Sequence, residues 1–116
     1  MKESQKSAIV GVLTQVGEAL CRTIGPQCEV VIHDLADMEH SIVWIMGTVT
    51  ERKVGGCMTP KGLSLVRSGD TQDNYNYTTR TRSGKMVNSS LVFVREKNGR
   101  PMERAPLPPP GRFYGL

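Results

Sequence analysis

Apolar residues recur along residues 5–24, QKSAIVGVLTQVGEALCRTI, with the period of a helix. Ile9, Val12, Leu13, Val16, Leu20 and Ile24 fall three, four, seven, eleven and fifteen positions on from the first, so they share one face. Ser4 stands where it can cap the first turn. Gly25 followed by Pro26 predicts the end, because glycine takes the left-handed conformation and proline cannot continue a helix. Gly11 and Gly17 each weaken the helix slightly and leave room for close packing against a flat surface.

The period then changes to two. In Cys28–Leu35, Val30 and Ile32 point to one side and Val31, His33 and Leu35 to the other. In Ser41–Thr48 the two faces are Ile42/Trp44/Met46 and Val43/Ile45. Neither run alternates apolar with polar, which predicts strands covered on both sides. The first helix can cover one side. The other side calls for short helices, a ligand or another subunit. Between the runs lies a short polar centre holding His33, Asp34, Asp37, Glu39 and His40.

Arg52 and Lys53 precede Val54-Gly55-Gly56, which reads as a tight turn. A glycine-rich connection ahead of a helix can also bind an anion, although a lone VGG is no phosphate loop. Thr59 then caps a short helix with Pro60 at its first position, carrying Leu63, Leu65 and Val66. Two more strands, Asn74–Thr81 and Met86–Arg95, flank a turn at Ser83-Gly84. The second has faces Val87/Ser89/Leu91/Phe93 and Asn88/Ser90/Val92/Val94. Asn98-Gly99 signals a further hairpin. After that turn the chain runs RPMERAPLPPPGRFYGL, with four prolines in the last eleven residues, and proline supplies no ladder donors. The expected organisation is one α+β domain over residues 1–101 and an irregular Pro/Gly/Arg-rich tail over 102–116. The final strand is missing or replaced.

Charge narrows the function. The net charge is +4, but residues 1–94 hold ten Lys/Arg against nine Asp/Glu, and residues 95–116 hold five against two. The body has no basic stripe of the kind that tracks phosphates, so this chain is not expected to bind DNA directly. No stretch approaches the roughly 18 apolar residues of a membrane span. The start is a poor signal peptide, because Glu3 sits in the charged region and Gln15 and Glu18 interrupt the apolar one. Cys21, Cys28 and Cys57 are odd in number and widely spaced, with no CxxC, so a reducing cytoplasm is the simplest compartment.

The candidate chemistry is sparse. His33 and His40, with Asp37 or Glu39, could just supply a metal site, but the spacing matches no standard pattern. His33 reads either as a strand histidine satisfied by a backbone or hydroxyl partner, or as a ligand contact. Ser89 and Ser90 put one hydroxyl on each face, for cross-strand hydrogen bonding or for a polar ligand. No serine or cysteine sits in a nucleophile-elbow pattern. Trp44, in an apolar strand, reads as core.

Taken in order, CEVVIHDL, a short acidic turn, HSIVWI, Arg52-Lys53-Val54-Gly55 and SGKMVNSSLVFVRE resemble the YheO-like PAS domain, the N-terminal sensor of a group of bacterial transcriptional regulators. The likeness runs from about Val16 to about Pro101. It implies a PAS-like antiparallel five-stranded sheet with an N-terminal helix, short helices over one face, and room between for a small molecule. It also implies a cytoplasmic, non-enzymatic sensor of an unidentified small polar metabolite. Such a domain works as a homodimer and modulates DNA binding through a helix-turn-helix domain not present in this chain. Glu51 stands where the family tends to have glycine, Gly56-Cys57 where it tends to have Ser-Pro, and ERAPLPPPGRFYGL departs from the usual final strand. The ligand contacts expected are His33, Asp34, Ser41, Arg52, Gly55, Ser89 and Ser90, with no metal, cofactor or catalytic group. Arg52 is singled out because a guanidinium suits a carboxylate or phosphate. Alternative readings are a truncated fragment acting through dimerisation and a small metal-dependent enzyme using His33 and His40.

Overall fold

A computed structural model describes residues 3–69 and 72–95. The element order is α1 (Glu3–Ile24), β1 (Val30–His33), β2 (Ile42–Met46), α2 (Pro60–Arg67), β3 (Asn74–Arg80) and β4 (Met86–Leu91). This is an α+β arrangement consistent with a PAS-like fold. The strands form two antiparallel hairpins, β1–β2 and β3–β4, with no ladder between them among the described residues, where a single sheet was expected. The expectation of a missing or replaced final strand and of an irregular 102–116 tail falls outside the described residues. No helix among those described is long and apolar enough to cross a membrane.

The first helix ends as its sequence dictates. Gly25 turns left-handed at φ +96°, and its N–H donates to the Cys21 carbonyl at 2.8 Å. The face that meets the first hairpin is built around small residues. Gly17 and Cys21 are its buried positions. A Cβ at Gly17 would lie 2.8 Å from the Trp44 ring and 3.0 Å from Val30 Cγ1, so the missing side chain is what lets α1 lie flat on the strands. A Cβ at Gly11 would meet nothing within 4 Å. The two glycines therefore predict opposite outcomes. Gly11→Ala should gain up to about 1 kcal/mol from helix propensity. Gly17→Val should lose about 2 kcal/mol through overpacking against Trp44. Urea melts of the two variants check the pair.

The apolar stripe of α1 is largely left in solvent. Val12, Val16, Leu20 and Ile24 are 60%, 52%, 47% and 58% exposed. Steps of four place them on one ridge of the helix, beside the face that the strands cover.

In the first hairpin Val30 pairs with Met46, Val31 with Ile45 and Ile32 with Trp44, and a bulge at Ile32/His33 brings His33 opposite Ile42. Both strands are shorter than their apolar runs. Gly47, at φ +110°, ends β2. Asp34 ends β1: its N–H donates to the Ser41 carbonyl at 2.7 Å, and its Oδ1 accepts the Ala36 N–H at 3.0 Å. Asp37 repeats the device with the His40 N–H at 3.2 Å. These turns occupy the two aspartates of the polar centre. Its apolar members do something else. Leu35 and Met38 are buried in the main core with Met58, Leu63, Val66 and Phe93.

Thr59 caps α2 as expected, its Oγ1 accepting the Gly62 N–H at 3.2 Å. In the second hairpin Val87, Ser89 and Leu91 are half-buried and Met86, Asn88 and Ser90 exposed. Asn76, at φ +56°, makes the irregularity in β3, a conformation asparagine tolerates better than most residues. The β4 ladder stops at Leu91, four residues before its predicted end. Past it, the Phe93 N–H is taken by the Asp73 carboxylate at 2.9 Å instead of a strand carbonyl. The same carboxylate accepts from Arg95 at 3.2 Å, and the Arg95 guanidinium lies 5.9 Å from the Phe93 ring centre.

Candidate functional site

The site is organised by the loop after β2. Glu29, one residue before β1, has a buried carboxylate that is only 6% exposed. It accepts the Thr50 N–H at 2.8 Å and the Thr50 hydroxyl in a short bond. Arg52 joins the group through Nη2, 3.5 Å from Glu29 Oε1, and through Nε, which donates to Thr50 Oγ1 at 2.9 Å. Its Nη1 donates to the Cys57 carbonyl at 3.4 Å. A buried carboxylate with this many donors is well compensated, and the loop that supplies them fixes the guanidinium in place. Glu51, where the resemblance calls for glycine, is held at φ +60°, a conformation glycine adopts without strain.

His33 meets this loop from β1. Its Nδ1 lies 2.8 Å from the Oγ of Ser41, which is completely buried. Burial, helped by the nearby Arg52 charge, pushes the imidazole pKa down to about 4, so the ring is neutral at physiological pH. Nε2 is its remaining polar atom. From the other hairpin comes Tyr77. Burial raises its phenol above the ordinary tyrosine range, and Arg52 acts against that rise. Arg52 is thus within electrostatic reach of a group on each hairpin. Ser89 stands directly opposite Tyr77 in the β3–β4 register, and its hydroxyl lies 3.3 Å from Thr79 Oγ1.

Of the seven expected contacts, the fold joins His33 to Ser41 and places the Arg52 charge near His33, while Ser89 sits on the second hairpin opposite Tyr77. The other three are placed elsewhere. Asp34 pairs with Lys6 of α1 at 2.8 Å. Gly55 is a turn residue at φ +89°, and its N–H donates to the Ile42 carbonyl at 2.9 Å. The Gly56 N–H likewise goes to Lys53, so the glycine pair is spent on a turn and does not cradle an anion. Ser90 is exposed and accepts the Asn76 N–H at 3.1 Å. His33 and both serines therefore have the hydroxyl or cross-strand partners that were one of the two readings of each. Glu29 and Tyr77 were missed. Glu29 carried one signal, an acidic residue breaking the apolar run CEVVIHDL. Tyr77 carried none beyond its strand.

His40 is exposed, with Nδ1 3.4 Å from Asp37 Oδ2. Among the described residues no three His, Cys, Asp or Glu side chains are grouped to hold a metal ion. The neutral imidazole, the hydroxyl bonded to it and the fixed guanidinium whose charge reaches it are groups that can recognise a small polar molecule by hydrogen bonds.

Known proteins resemble this chain over most of its length. The model of the YheO-like PAS domain family matches residues 3–103. An uncharacterized protein of Haemophilus influenzae is 30% identical over 98 residues, covering 83% of this chain and 44% of that protein. The uncharacterized protein YheO of Escherichia coli strain K12 is 32% identical over 89 residues, covering 73% of this chain and 37% of its own length. A YheO from Shigella flexneri gives the same values. The chain thus spans less than half the length of these curated relatives. No solved structure gives a significant match.

Proposed function

The chain belongs to the YheO-like PAS domain family, and from that premise we propose that it is the small-molecule-sensing module of a bacterial transcriptional regulator, working in the cytoplasm. The observation that carries the reading is the placement of Arg52. One guanidinium, fixed by Glu29 and Thr50, acts on His33 of the first hairpin and on Tyr77 of the second. A polar metabolite held there would touch both hairpins at once. The contacts proposed are His33, Ser41, Arg52, Tyr77 and Ser89, with Asp34, Gly55 and Ser90 as supports of the surrounding turns. The role is regulatory, and DNA is reached through a helix-turn-helix domain outside this chain.

Native mass spectrometry of the protein as purified tests the reading. The expected spectrum holds a small-molecule adduct that collisional activation removes. Arg52→Ala should weaken its retention at least tenfold, because a charge-assisted hydrogen bond is worth roughly 1.5–3 kcal/mol. An adduct-free mass, with no thermal shift across a panel of polar metabolites, would sink the proposal.

The module is proposed to work as a homodimer through the exposed ridge Val12–Val16–Leu20–Ile24. A ridge of four-residue steps packs into the matching grooves of an identical helix, which suits a second copy related by a two-fold axis. Val16→Glu with Leu20→Glu should convert a dimer to a monomer in sedimentation. Val92→Lys and Val94→Lys, on exposed positions past β4, should leave it intact. A monomeric wild type at micromolar concentration would overturn this part alone.

A further inference from the structure

We propose that Cys21 and Cys28 form a reversible intramolecular disulfide that ties the last turn of α1 to the entry of β1. All three cysteines are free thiols in this structure. The Cys21 and Cys28 sulfurs nevertheless lie 3.7 Å apart, across the turn made by Gly25 and Pro26. A disulfide holds its sulfurs about 2.05 Å apart, so closure needs them to approach by roughly 1.7 Å, within reach of side-chain rotation. The two thiols differ in the way an exchange reaction needs. Cys21 is buried and sits 3.6 Å from the Met46 carbonyl. Cys28 is half-buried. Both line a shallow open crevice with Arg22, Pro26, Met46 and Thr48, through which a reagent can arrive.

The chemistry balances with a low-molecular-weight disulfide such as glutathione disulfide as oxidant. The Cys28 thiolate attacks one glutathione sulfur, breaking its S–S bond and releasing one glutathione thiolate. The buried Cys21, as thiolate, then attacks the Cys28 sulfur of the mixed disulfide and expels the second glutathione. The two protons lost by the cysteines end on the two glutathione thiols. Both cysteine sulfurs are oxidised and both glutathione sulfurs are reduced. Burial, with the adjacent Cys21 and Glu29, raises Cys28 above the ordinary thiol range. The exchange is therefore slow at neutral pH and accelerates as pH rises, which suits a response to sustained oxidising poise and not a fast peroxide sensor. The disulfide is independent of whether a ligand binds near Arg52.

The test uses the whole chain in buffers of graded glutathione to glutathione disulfide ratio, quenched with acid and alkylated. Trypsin cleavage after Arg22 separates the two cysteines, so their link is visible in a peptide map. Expected at oxidising ratios are a loss of two hydrogen masses, alkylation of Cys57 alone, and a linked pair of peptides carrying Cys21 and Cys28. The melting temperature should rise by roughly 5–10 °C, as expected for a short closed loop in a domain of this size, and reduction should reverse it. Cys57→Ser should still form the link. Any of three results would overturn the proposal: both cysteines alkylated at every ratio, links that run to Cys57 or between chains, or glutathione adducts that never resolve.

Discussion

Gly47→Ala is expected to be strongly destabilising, moving the urea midpoint far below that of the wild type. Gly47 ends β2 at φ +110°, where an L side chain is strained whatever the surrounding space. Space is also lacking. A Cβ would lie 2.5 Å from the Cys28 carbonyl oxygen and 2.8 Å from Glu29 Cα, both backbone atoms that cannot swing aside. Strain of about 1–3 kcal/mol combines with a clash of similar size, for a loss of about 4 kcal/mol against a typical domain stability of about 5–15 kcal/mol. Gly84→Ala is the matched control. Gly84 also has positive φ, +89°, but nothing lies within 4 Å of its added carbon, so only the strain applies. Far-ultraviolet circular dichroism with urea melts separates the two. A Gly47→Ala protein as stable as Gly84→Ala would show that the close approach of residue 47 to the Cys28–Glu29 backbone is wrong.

Stability should also fall as pH drops from 6.5 toward 4, with His33 carrying much of the loss. Burial first, and the Arg52 charge second, lower the folded-state pKa from 6.5 to about 4. Between those values the unfolded chain binds a proton that the folded chain refuses, so acid favours unfolding. The loss should reach about 2 kcal/mol by pH 5 and about 3 kcal/mol below pH 4, where both states are protonated and the slope ends. Above pH 7 this group contributes no slope. Asp73 adds its own loss at lower pH, because the Phe93 N–H first, and Arg95 and Tyr75 after it, hold its carboxyl below the ordinary range. The decisive quantity is therefore the difference between wild type and His33→Gln, which keeps a hydrogen-bonding group beside Ser41 and does not titrate. Parallel pH profiles of the two would rule out the burial assigned to His33.

Much of the fold is legible in the sequence because local chemistry decides it. Gly25-Pro26 stops α1, Thr59-Pro60 starts α2, and alternation sorts β4 into Val87/Ser89/Leu91 inside and Asn88/Ser90 outside. What escapes is whatever depends on a partner distant in sequence. Periodicity marks the ridge from Val12 to Ile24 as the apolar face of α1, yet the surface buried on the strands centres on Gly17 and Cys21. Gly17 can be read as a place for close packing, but nothing in the hydropathy pattern marks Cys21 as the buried residue beside it. Leu35 and Met38 look incidental inside an acidic turn, and they become core only because Met58, Leu63, Val66 and Phe93 arrive around them. The site obeys the same rule. His33 and Ser41 are eight residues apart and could be suspected as partners across a hairpin. Arg52 could be suspected for its charge, but its aim depends on Glu29, twenty-three positions away, and on the left-handed turn at Glu51.

The two hairpins have different stiffness within and between them. Inside each, backbone hydrogen bonds resist any change of shape. Between them, the described contacts are side-chain packing, chiefly Leu35 and Met38 with Phe93 and α2. If the proposed metabolite bridges His33 and Tyr77, it would draw the two hairpins together without breaking a ladder bond, so its binding energy would act on side-chain packing, which yields in small steps and recovers.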